Sequence, residues 1–474
     1  MTEARADAGL GSKWSTFAAV SLGVLVTTID SSIVSIALPA IARDFRISLS
    51  AVSWVNLAYL LAVTGTLLVL GRLSDLFGRR RIYIAGFALF SLMAVLCGFA
   101  PNFTTLIVFR ALQATGASMM FANALAILSV CFPQGERGRA FGMAAAFASA
   151  GVGIGPLLGG GLVSALSWHW VFWFYAPLAV VGTLVAWRAV PRDTRAYHGE
   201  PLDLVGGLLT LVAMTSLVLS LKYLPGGTFK LGAFLASLAV LSGILLVRRE
   251  RKVLSPLVSP AFAANPVLRA STLNAFLGYL ALFVYVLLLP FFLIDYLGQS
   301  AALAGLVLTA EPALSIFTGP IGGRLSDRFG SRVLVLMGLG ITGIGLWALG
   351  GLTLNSSFWD ATWRVAVIGL GFGLFYTPNK SALIGAAPPE RLGVATGMAE
   401  VASNLGMASG IALGSALVAG TATATRASGD LFASDFAMAM HVAAILCLVA
   451  MFICVLWMRR KTVEGEPLMT GNSL

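Results

Sequence analysis

Apolar segments of membrane-spanning length follow one another along the whole sequence, and this feature constrains the fold more than any other. A helix needs about 20 mostly apolar residues to cross the hydrocarbon core of a bilayer. Only 11% of the residues are charged, whereas an average soluble protein has about 25%. The sequence therefore predicts an all-α integral membrane protein. The predicted spans, fourteen in number, are residues 14–38, 51–71, 82–100, 103–127, 140–164, 169–189, 203–222, 231–248, 267–295, 301–322, 333–353, 359–384, 393–420 and 435–458.

The distribution of basic residues predicts which side of the membrane holds the termini. An even number of spans places both termini on one side. Of the 31 Lys and Arg residues, 24 lie on that side and 6 on the other, with Arg110 left inside a span. Because cytoplasmic loops are enriched in Lys and Arg, residues 1–13 and the tail 459–474 are both expected in the cytoplasm. The same loops account for the net charge of +11, so no nucleic-acid partner is predicted.

The sequence has no signature of a catalytic or cofactor site. It contains neither an HExxH pair nor a GxxxxGK[ST] phosphate-binding loop, and its 3 histidines are scattered. Its 4 cysteines fall in or beside apolar segments without CxxC spacing, which is typical of small buried residues. We therefore predict no enzymatic activity, no metal and no cofactor.

An internal repeat links the two ends of the chain. The segment GRLSDLFGRRR at Gly71–Arg81 returns as GRLSDRFGSR at Gly323–Arg332, an offset of 252 residues. Further along, ERGRAFGM at Glu136–Met143 returns as ERLGVATGM at Glu390–Met398, at nearly the same offset. Self-similarity at a fixed offset indicates a duplicated structural unit.

The repeat predicts an architecture of six helices, two inserted helices and six more helices. The two halves are residues 14–190 and 253–458 in the same orientation, and 191–252 holds a linker and the inserted helices. Parallel repeats with a site at the midplane between them are a known transporter design. The inserted helices carry charge only near their ends, at Asp203 and Lys222, so we expect no buried charge there and only peripheral packing.

Four motifs together resemble those of one family. Asp30, followed by ALP at residues 37–39, lies in the first span, and Arg110 lies in RALQATG in the fourth. The segment Gly71–Arg81 joins the second and third spans, with Leu76 where a basic residue is usual. The fifth span carries Gly142, Gly151, Gly155, Pro156, Gly159 and Gly160. The set resembles the major facilitator superfamily, specifically its fourteen-helix drug–proton antiporter branch, and implies that fold over nearly the whole chain.

The resemblance implies a gating role for the segment between the second and third spans. Its residues are Gly71, Arg72, Asp75, Gly78, Arg79 and Arg80, and the second copy has Gly323, Asp327 and Gly330. Glycine supplies tight turns and close approach, which we expect at Gly71 and Gly78. Asp75 is expected to latch onto the N-terminus of helix thirteen, near Arg391, where a carboxylate is favoured by the helix dipole. Alternatively, the cluster only enforces topology.

The glycines of the fifth span are expected to permit close helix packing. Small residues allow two membrane helices to approach with their backbones nearly in contact. Pro156 frees a backbone carbonyl and bends the helix. In the resembled family this helix lines the seam between the halves and is typical of exporters. Ordinary packing without any directional meaning is the alternative.

Four ionisable residues lie inside predicted spans: Asp30, Arg110, Glu311 and Glu400. Such residues are candidates for function by default, because a buried charge is costly. Asp30 is either a proton-exchanging acid or a static partner of Arg110. Arginine does not release its proton, so an acid must carry the coupling proton while Arg110 modulates it. The resemblance implies proton and cationic-drug binding by acids in helices one, ten and thirteen.

These residues predict a proton-coupled antiporter that exports hydrophobic, cationic drugs or toxic compounds by alternating access. A charged buried acid attracts a lipophilic cation, whereas the protonated acid does not. The predicted protein is a monomer in the bacterial inner membrane, with a small-molecule substrate, protons and the lipid bilayer as partners. Aromatic side chains hold flat cations by π contacts. The candidate cavity aromatics are Phe121, Tyr285, Phe372, Phe375 and Tyr376.

Three other functions are compatible with the sequence. The first is export of a native amphiphile such as a lipid, siderophore or peptide product, which a wide lateral opening would favour. The second is a membrane sensor or scaffold that transports nothing, although a scaffold has no use for costly buried charge. The third is uptake by symport, which the glycines of the fifth span disfavour.

The predicted topology is testable with accessible tags. A tag at either end of the chain should react only with reagents supplied from the cytoplasmic side, because both termini are expected there. Labelling of intact cells and of inverted vesicles measures this. If either tag reacts from outside in intact cells, the even number of spans or the orientation is wrong.

Overall fold

The computed structural model describes residues 10–133, 135–191, 203–224, 228–250, 252, 265–387, 392–419 and 429–457. Most of the N-terminal segment 1–13, the tail 459–474 and Arg391 lie outside the described residues. The described chain is helical throughout. Its long helices are α1 (Leu10–Asp44), α2 (Trp54–Phe77), α3 (Arg79–Gly98), α4 (Phe103–Cys131), α5 (Arg137–Ala165), α6 (His169–Ala189), α7 (Leu204–Tyr223), α8 (Phe229–Glu250), α9 (Pro266–Phe291), α10 (Ala301–Phe329), α11 (Ser331–Leu349), α12 (Phe358–Ala386), α13 (Leu392–Leu417) and α14 (Gly429–Trp457). A single helical turn, Leu49–Val52, precedes α2, and a π-helical turn, Phe292–Tyr296, continues α9.

Twelve of these helices are long and apolar enough to cross a bilayer, which confirms an all-helical integral membrane protein. The other two are α12 and α13. They contain more polar side chains than their neighbours, including Asn379 and Lys380 in α12 and Glu400 in α13. Helix length and composition support twelve membrane crossings, so the number fourteen remains a prediction.

The same six helix pairs pack together in both parts of the chain. In α1–α6 the pairs are α1–α4, α1–α5, α1–α6, α2–α4, α3–α4 and α3–α6. In α9–α14 they are α9–α12, α9–α13, α9–α14, α10–α12, α11–α12 and α11–α14. Close crossings also correspond: a Cβ on Gly116 would lie 2.7 Å from the backbone nitrogen of Phe90, and one on Gly338 would lie 2.4 Å from that of Phe375. The sequence repeat is thus matched by a repeat of packing.

Glycines at positive φ join the second and third helices of each set. Gly78, with φ of 100°, is the one residue between α2 and α3, and Gly330, with φ of 85°, separates α10 from α11. Only glycine adopts such angles readily. The tight turn expected at Gly71 is not found, because Gly71 lies within α2 and a Cβ there would meet only ordinary contact with Ala122. The end of the molecule that holds Gly78 and Gly330 is called the basic end below, and the opposite end the distal end.

The inserted helices are attached more firmly than expected. Helix α7 packs against α2, α13 and α8. The expectation of no buried charge is wrong for Lys222, which is 5% exposed and donates hydrogen bonds to the carbonyl of Ser50 (2.7 Å) and the hydroxyl of Ser53 (2.9 Å). Lysine on a flexible stem reaches these acceptors from the distal end of α7.

An ion pair also joins the two inserted helices. Arg249 of α8 approaches Asp203, which precedes α7, at 2.8 Å. The hydrogen bond from Arg249 lowers the pKa of Asp203, and a hydrogen bond from the backbone of Gly206 acts in the same direction. The contact therefore fixes the basic end of α7 to α8.

The close glycine crossings predict which Gly→Ala substitutions lower the stability of the protein. Gly338→Ala should lower the melting midpoint, because its Cβ would overlap the backbone of α12 and overpacking costs about 1–3 kcal/mol. Gly161→Ala is the matched control, since nothing lies within 4 Å of its Cβ position. Thermal unfolding in detergent measures both variants. Equal melting midpoints would contradict the observed crossing.

Candidate functional site

A buried ion pair lies among α1, α2, α4 and α6. The guanidinium Nη1 of Arg110 donates to Oδ1 of Asp30 at 2.7 Å, and the two side chains are 1% and 0% exposed. Arg110 also donates to the side-chain carbonyl of Gln113 at 2.8 Å. Because the helices exclude water here, each charge depends on the other for stabilisation.

Aromatic side chains surround this pair. The guanidinium of Arg110 lies 4.4 Å from the ring centre of Tyr59 and 5.6 Å from that of Phe172, as expected of cation–π contacts. The hydroxyl of Tyr175 donates to Asp30 and accepts a hydrogen bond from Gln113. Of the two alternatives for Asp30, the structure shows the arrangement of a static partner of Arg110. Its use as a proton carrier is not tested by this geometry.

A second buried acid lies in α10. Glu311 is 7% exposed and accepts a hydrogen bond from the hydroxyl of Ser315 at 3.0 Å. Within the described part of the chain, no basic side chain approaches Glu311 closely enough to form a salt bridge. A Cβ on Gly369 would lie 2.3 Å from the carbonyl oxygen of Glu311, so α12 packs with its backbone against the acid. Glu311 therefore has a polar partner but no countercharge.

Aromatic rings of α9 and α12 form a cluster beside this acid. Tyr279 lies 5.2 Å from Phe372 and 5.7 Å from Tyr376, measured between ring centres, and Phe372 and Tyr376 are nearly parallel. Phe372 follows Gly369, the α12 residue that packs against Glu311, by one helical turn. We call Tyr279, Phe372 and Tyr376 the aromatic cluster.

Of the other predicted aromatics, Phe375 adjoins the aromatic cluster, since its ring centre lies 5.7 Å from that of Phe372. Phe375 is fully buried, and Gly278 leaves room for its ring while Gly338 leaves room for its backbone. Its contacts are therefore those of core packing. Tyr285 is buried, and Phe121 on α4 is 37% exposed.

Glu400 is already paired. Lys380 of α12 donates to Glu400 of α13 at 3.0 Å and to the hydroxyl of Tyr376 at 3.2 Å. The two charged side chains are 36% and 49% exposed. This ion pair borders the aromatic cluster and leaves Glu311 as the unpaired one of the three predicted acids.

The predicted gating residues lie at the basic end. Asp75, near the end of α2, accepts hydrogen bonds from Arg79, the first residue of α3, at 2.9 and 3.1 Å. Arg80 donates to the carbonyl of Trp187, and Arg72 and Gly71 lie in the last turns of α2. Asp327 is exposed near the end of α10, one turn from Gly323. A contact between Asp75 and Arg391 falls outside the described residues.

The glycines of α5 allow close packing against two different helices. A Cβ on Gly151, Gly155 or Gly159 would overlap α1, whereas one on Gly160 would lie 2.3 Å from the carbonyl oxygen of Ala301 in α10. Pro156 is also buried, and nothing lies within 4 Å of a Cβ on Gly142. The motif therefore packs α5 between α1 and α10, except at Gly142.

Sequence reasoning missed three tyrosines of these clusters: Tyr59, Tyr175 and Tyr279. One signal was present for Tyr59, which precedes Glu311 by 252 residues, the offset of the internal repeat. Tyr59 thus occupies in α2 the position that Glu311 occupies in α10. Tyr175 and Tyr279 lie in apolar spans without a distinguishing motif. Their partners are therefore known only from the packing of the helices.

Comparison with known proteins identifies the family. The Major Facilitator Superfamily model matches residues 20–265 and 271–470, so the chain belongs to that superfamily and is a transporter. It is 30% identical over 94% of its length, and 98% of the relative's, to the riboflavin transporter RibZ of Clostridioides difficile. It is 31% identical over 90% of its length, and 79% of the relative's, to the tetracenomycin C resistance and export protein of Streptomyces glaucescens. Several further relatives carry names of drug-resistance or multidrug transporters.

The fold is shared with a solved structure. A bacterial homologue of the human lysosomal transporter Spinster, in an inward-facing and unoccupied conformation, superposes with a TM-score of 0.66. The match covers 94% of this chain and 97% of that one at 18% sequence identity. At that identity the similarity shows the fold alone, which here is the major facilitator fold.

The Asp30–Arg110 pair predicts strong coupling between two substitutions. Arg110→Gln alone should destabilise the protein by about 3–5 kcal/mol, because it leaves Asp30 buried without a countercharge. Adding Asp30→Asn should recover part of the loss. A double-mutant cycle on thermal stability in detergent measures the coupling.

The matched control for this cycle is Asp360→Asn with Arg364→Gln. These residues form a partly exposed pair at 3.5 Å, one turn apart on α12. Exposed pairs couple by about 0.2–1 kcal/mol, so this cycle should be nearly additive. If the Asp30–Arg110 cycle is equally additive, the pair does not stabilise the fold as described.

Proposed function

We propose that this transporter is a proton-coupled antiporter that exports hydrophobic, cationic compounds by alternating access. The observation that carries the proposal is the environment of Glu311. An isolated buried carboxylate is costly unless it is neutralised. With no basic partner in the described structure, Glu311 can be neutralised either by a proton or by a bound cation.

Competition for Glu311 explains how export is coupled to protons. A cationic compound that binds the charged carboxylate excludes the proton, and a proton that binds it removes the attraction for the cation. Entry of a proton from outside therefore favours release of the compound. The membrane potential supplies about 2.3 kcal/mol per charge per 100 mV, in addition to the pH gradient.

The aromatic cluster supports a flat or cationic substrate. Tyr279, Phe372 and Tyr376 form a cluster of rings on α9 and α12, and ring faces attract cations. The Lys380–Glu400 pair borders this cluster, so we assign Glu400 a substrate-binding role that depends on release from Lys380. In this proposal Asp30 and Arg110 form the buried ion pair of the first half, and Arg110 modulates the acid through its charge.

The remaining predicted roles complete the proposal. Fourteen crossings place both termini in the cytoplasm of a bacterial inner membrane, in a monomer with halves 14–190 and 253–458 and the insert at 191–252. The pairing of helices in α1–α6 and α9–α14 supports this division. Asp75 and Asp327 act at the cytoplasmic side as latches, and the α5 glycines permit the halves to pack closely along their seam.

A native metabolite is the second candidate substrate. One relative is named a riboflavin transporter, and riboflavin is a flat heteroaromatic molecule. The aromatic cluster suits such a ring system as well as a cationic drug. This candidate differs in its expected dependence on Glu311, because a neutral substrate gains less from the carboxylate.

Transport in proteoliposomes with an imposed pH gradient tests the proposal. Glu311→Gln should lower gradient-driven efflux of a cationic dye about tenfold or more, the factor that accompanies a loss of 1.4 kcal/mol of binding. Asp30→Asn and Glu400→Gln complete the set. Efflux by the wild type should disappear when the gradient is collapsed.

Glu136→Gln is the matched control for these variants. Glu136 pairs with Lys13 at 2.8 Å near the basic end, with its side chain 46% exposed, so the same chemical change occurs away from Glu311. The control should transport normally. If all three acid variants also transport normally, the assignment of coupling to these acids fails.

A further inference from the structure

A lysine, a tyrosine and a glutamate meet at the contact between α12 and α13. The ammonium of Lys380 donates to Oε1 of Glu400 at 3.0 Å and to the hydroxyl of Tyr376 at 3.2 Å. It also lies 5.5 Å from the ring centre of Tyr376. A carboxylate, a hydroxyl and an aromatic face are groups that bind a cation with N–H donors. We call Tyr376 and Glu400 the ammonium site, which Lys380 occupies in this structure.

The spacing of residues along α12 explains why Lys380 reaches this site. Phe372, Tyr376 and Lys380 follow one another at intervals of four residues, so they lie on one face of the helix. Long side chains on a helix lean towards its N-terminus, which directs Lys380 back over Tyr376. Tyr279 of α9 packs against Tyr376, with 5.7 Å between the ring centres. The aromatic cluster therefore ends at the ammonium of Lys380.

The ammonium site is separate from Glu311. Gly369 is the residue of α12 that packs against the backbone of Glu311. It precedes Lys380 by eleven residues, which is about 16 Å along the helix at 1.5 Å per residue. Glu400, which is paired with Lys380, therefore lies at a different depth in the helical bundle from the backbone of Glu311.

The Lys380–Glu400 pair is open enough to be replaced. The side chain of Lys380 is 36% exposed and that of Glu400 is 49% exposed. Ion pairs with such exposure are weak, because water competes for both charges. Lysine also carries its charge on a flexible stem, whereas the planar fork of arginine holds a carboxylate through two hydrogen bonds. Lys380 therefore releases Glu400 more easily than Arg110 releases Asp30, since those two side chains are 1% and 0% exposed.

We propose that Lys380 is a tethered competitor for the substrate: its ammonium fills the ammonium site when no substrate is bound, and a protonated amine of the substrate replaces it. The proposal rests on the proposed export function and narrows the chemistry of the substrate. Glu400 and Tyr376 both accept hydrogen bonds from Lys380, so the preferred cation is an ammonium with N–H donors beside a flat ring. A quaternary ammonium has no N–H to donate and binds less tightly. Lys380 is thus a residue that determines specificity.

Replacement of one ammonium by another gives Glu400 a different role from Glu311. Glu400 keeps a countercharge whether the site holds Lys380 or the substrate, so its carboxylate needs no proton. Glu311 has a hydrogen bond from Ser315 and no ion pair in the part of the chain that the structure describes. It remains the acid proposed above to exchange protons. Lys380 thus separates binding of the substrate's charge from coupling to protons.

Equilibrium dialysis of the purified protein in detergent tests the competition. The probes are naphthylmethylammonium and its trimethylammonium analogue, which share a flat ring and a charge but differ in N–H donors. Lys380→Met removes the competing charge and keeps an unbranched side chain. It should tighten binding of naphthylmethylammonium about tenfold, equivalent to about 1.4 kcal/mol, and binding of the trimethyl analogue by a smaller factor. Equal affinities of this variant and the wild type for naphthylmethylammonium overturn the proposal, as does an equal gain for both probes.

Further variants separate competition from a structural role. Lys380→Arg keeps a cation beside Glu400, so it should bind naphthylmethylammonium no more tightly than the wild type. Lys380→Met combined with Glu400→Gln should lose the gain in affinity, because the carboxylate is gone. A gain that persists without Glu400 contradicts the ammonium site. If Lys380→Met does not fold, as judged by thermal unfolding, Lys380→Gln also removes the charge and carries the same expectation.

Lys230→Met is the matched control for these variants. Lys230 is exposed in the first turn of α8, so the same chemical change occurs away from the ammonium site. Its affinities for both probes should equal those of the wild type. A gain as large as that of Lys380→Met would mean that loss of any positive charge tightens binding, and the proposal would be wrong.

Failure of this inference is distinguishable from failure of the export function. Gradient-driven efflux of a cationic dye from proteoliposomes tests the function, whereas dialysis is done without a gradient. If the wild type exports no dye, the proposed function fails. If the wild type exports the dye and Lys380→Met binds naphthylmethylammonium no more tightly than the wild type does, only the tethered competitor fails.

Discussion

The cost of burying charge away from water is the constraint on which the rest of this structure depends. An ion buried without a partner costs several kcal/mol, so each charge within the helices must be neutralised. Asp30 and Arg110 neutralise each other between α1 and α4, with Tyr175 and Gln113 satisfying further hydrogen bonds. In the described part of the chain Glu311 has a hydrogen bond from Ser315 and no ion pair, which is the basis for proposing that it exchanges a cation or proton.

The duplicated halves differ at the position that Tyr59 and Glu311 share in the repeat. Tyr59 and Glu311 are separated by the offset of the repeat, yet the first supports the guanidinium of Arg110 and the second is an unpaired acid. One half thus holds a fixed electrostatic network, and the other holds the acid proposed to exchange its ligand. A symmetric scaffold carries an asymmetric site, as is common where function is built on a shared fold.

Close backbone packing makes this scaffold possible in lipid. Helices in a bilayer gain little from the hydrophobic effect and associate through small residues. Glycine crossings join α3 to α4, α11 to α12 and α5 to both α1 and α10. The insert adds contacts to both halves, because α7 packs against α2 and α13. The relatives differ in the cargo that their names give.

The sequence by itself determined the helical membrane fold, the repeat and the candidate acids, because apolar length, a fixed offset and rare buried charges are local signals. It also indicated Gly78 and Gly330, whose positive φ follows from short connections. Only the tertiary structure decided that Glu400 pairs with Lys380, that Lys222 is buried, and that Gly71 makes no turn. Partners and burial arise from contacts between helices distant in the chain, and no local pattern encodes which side chain lies opposite which.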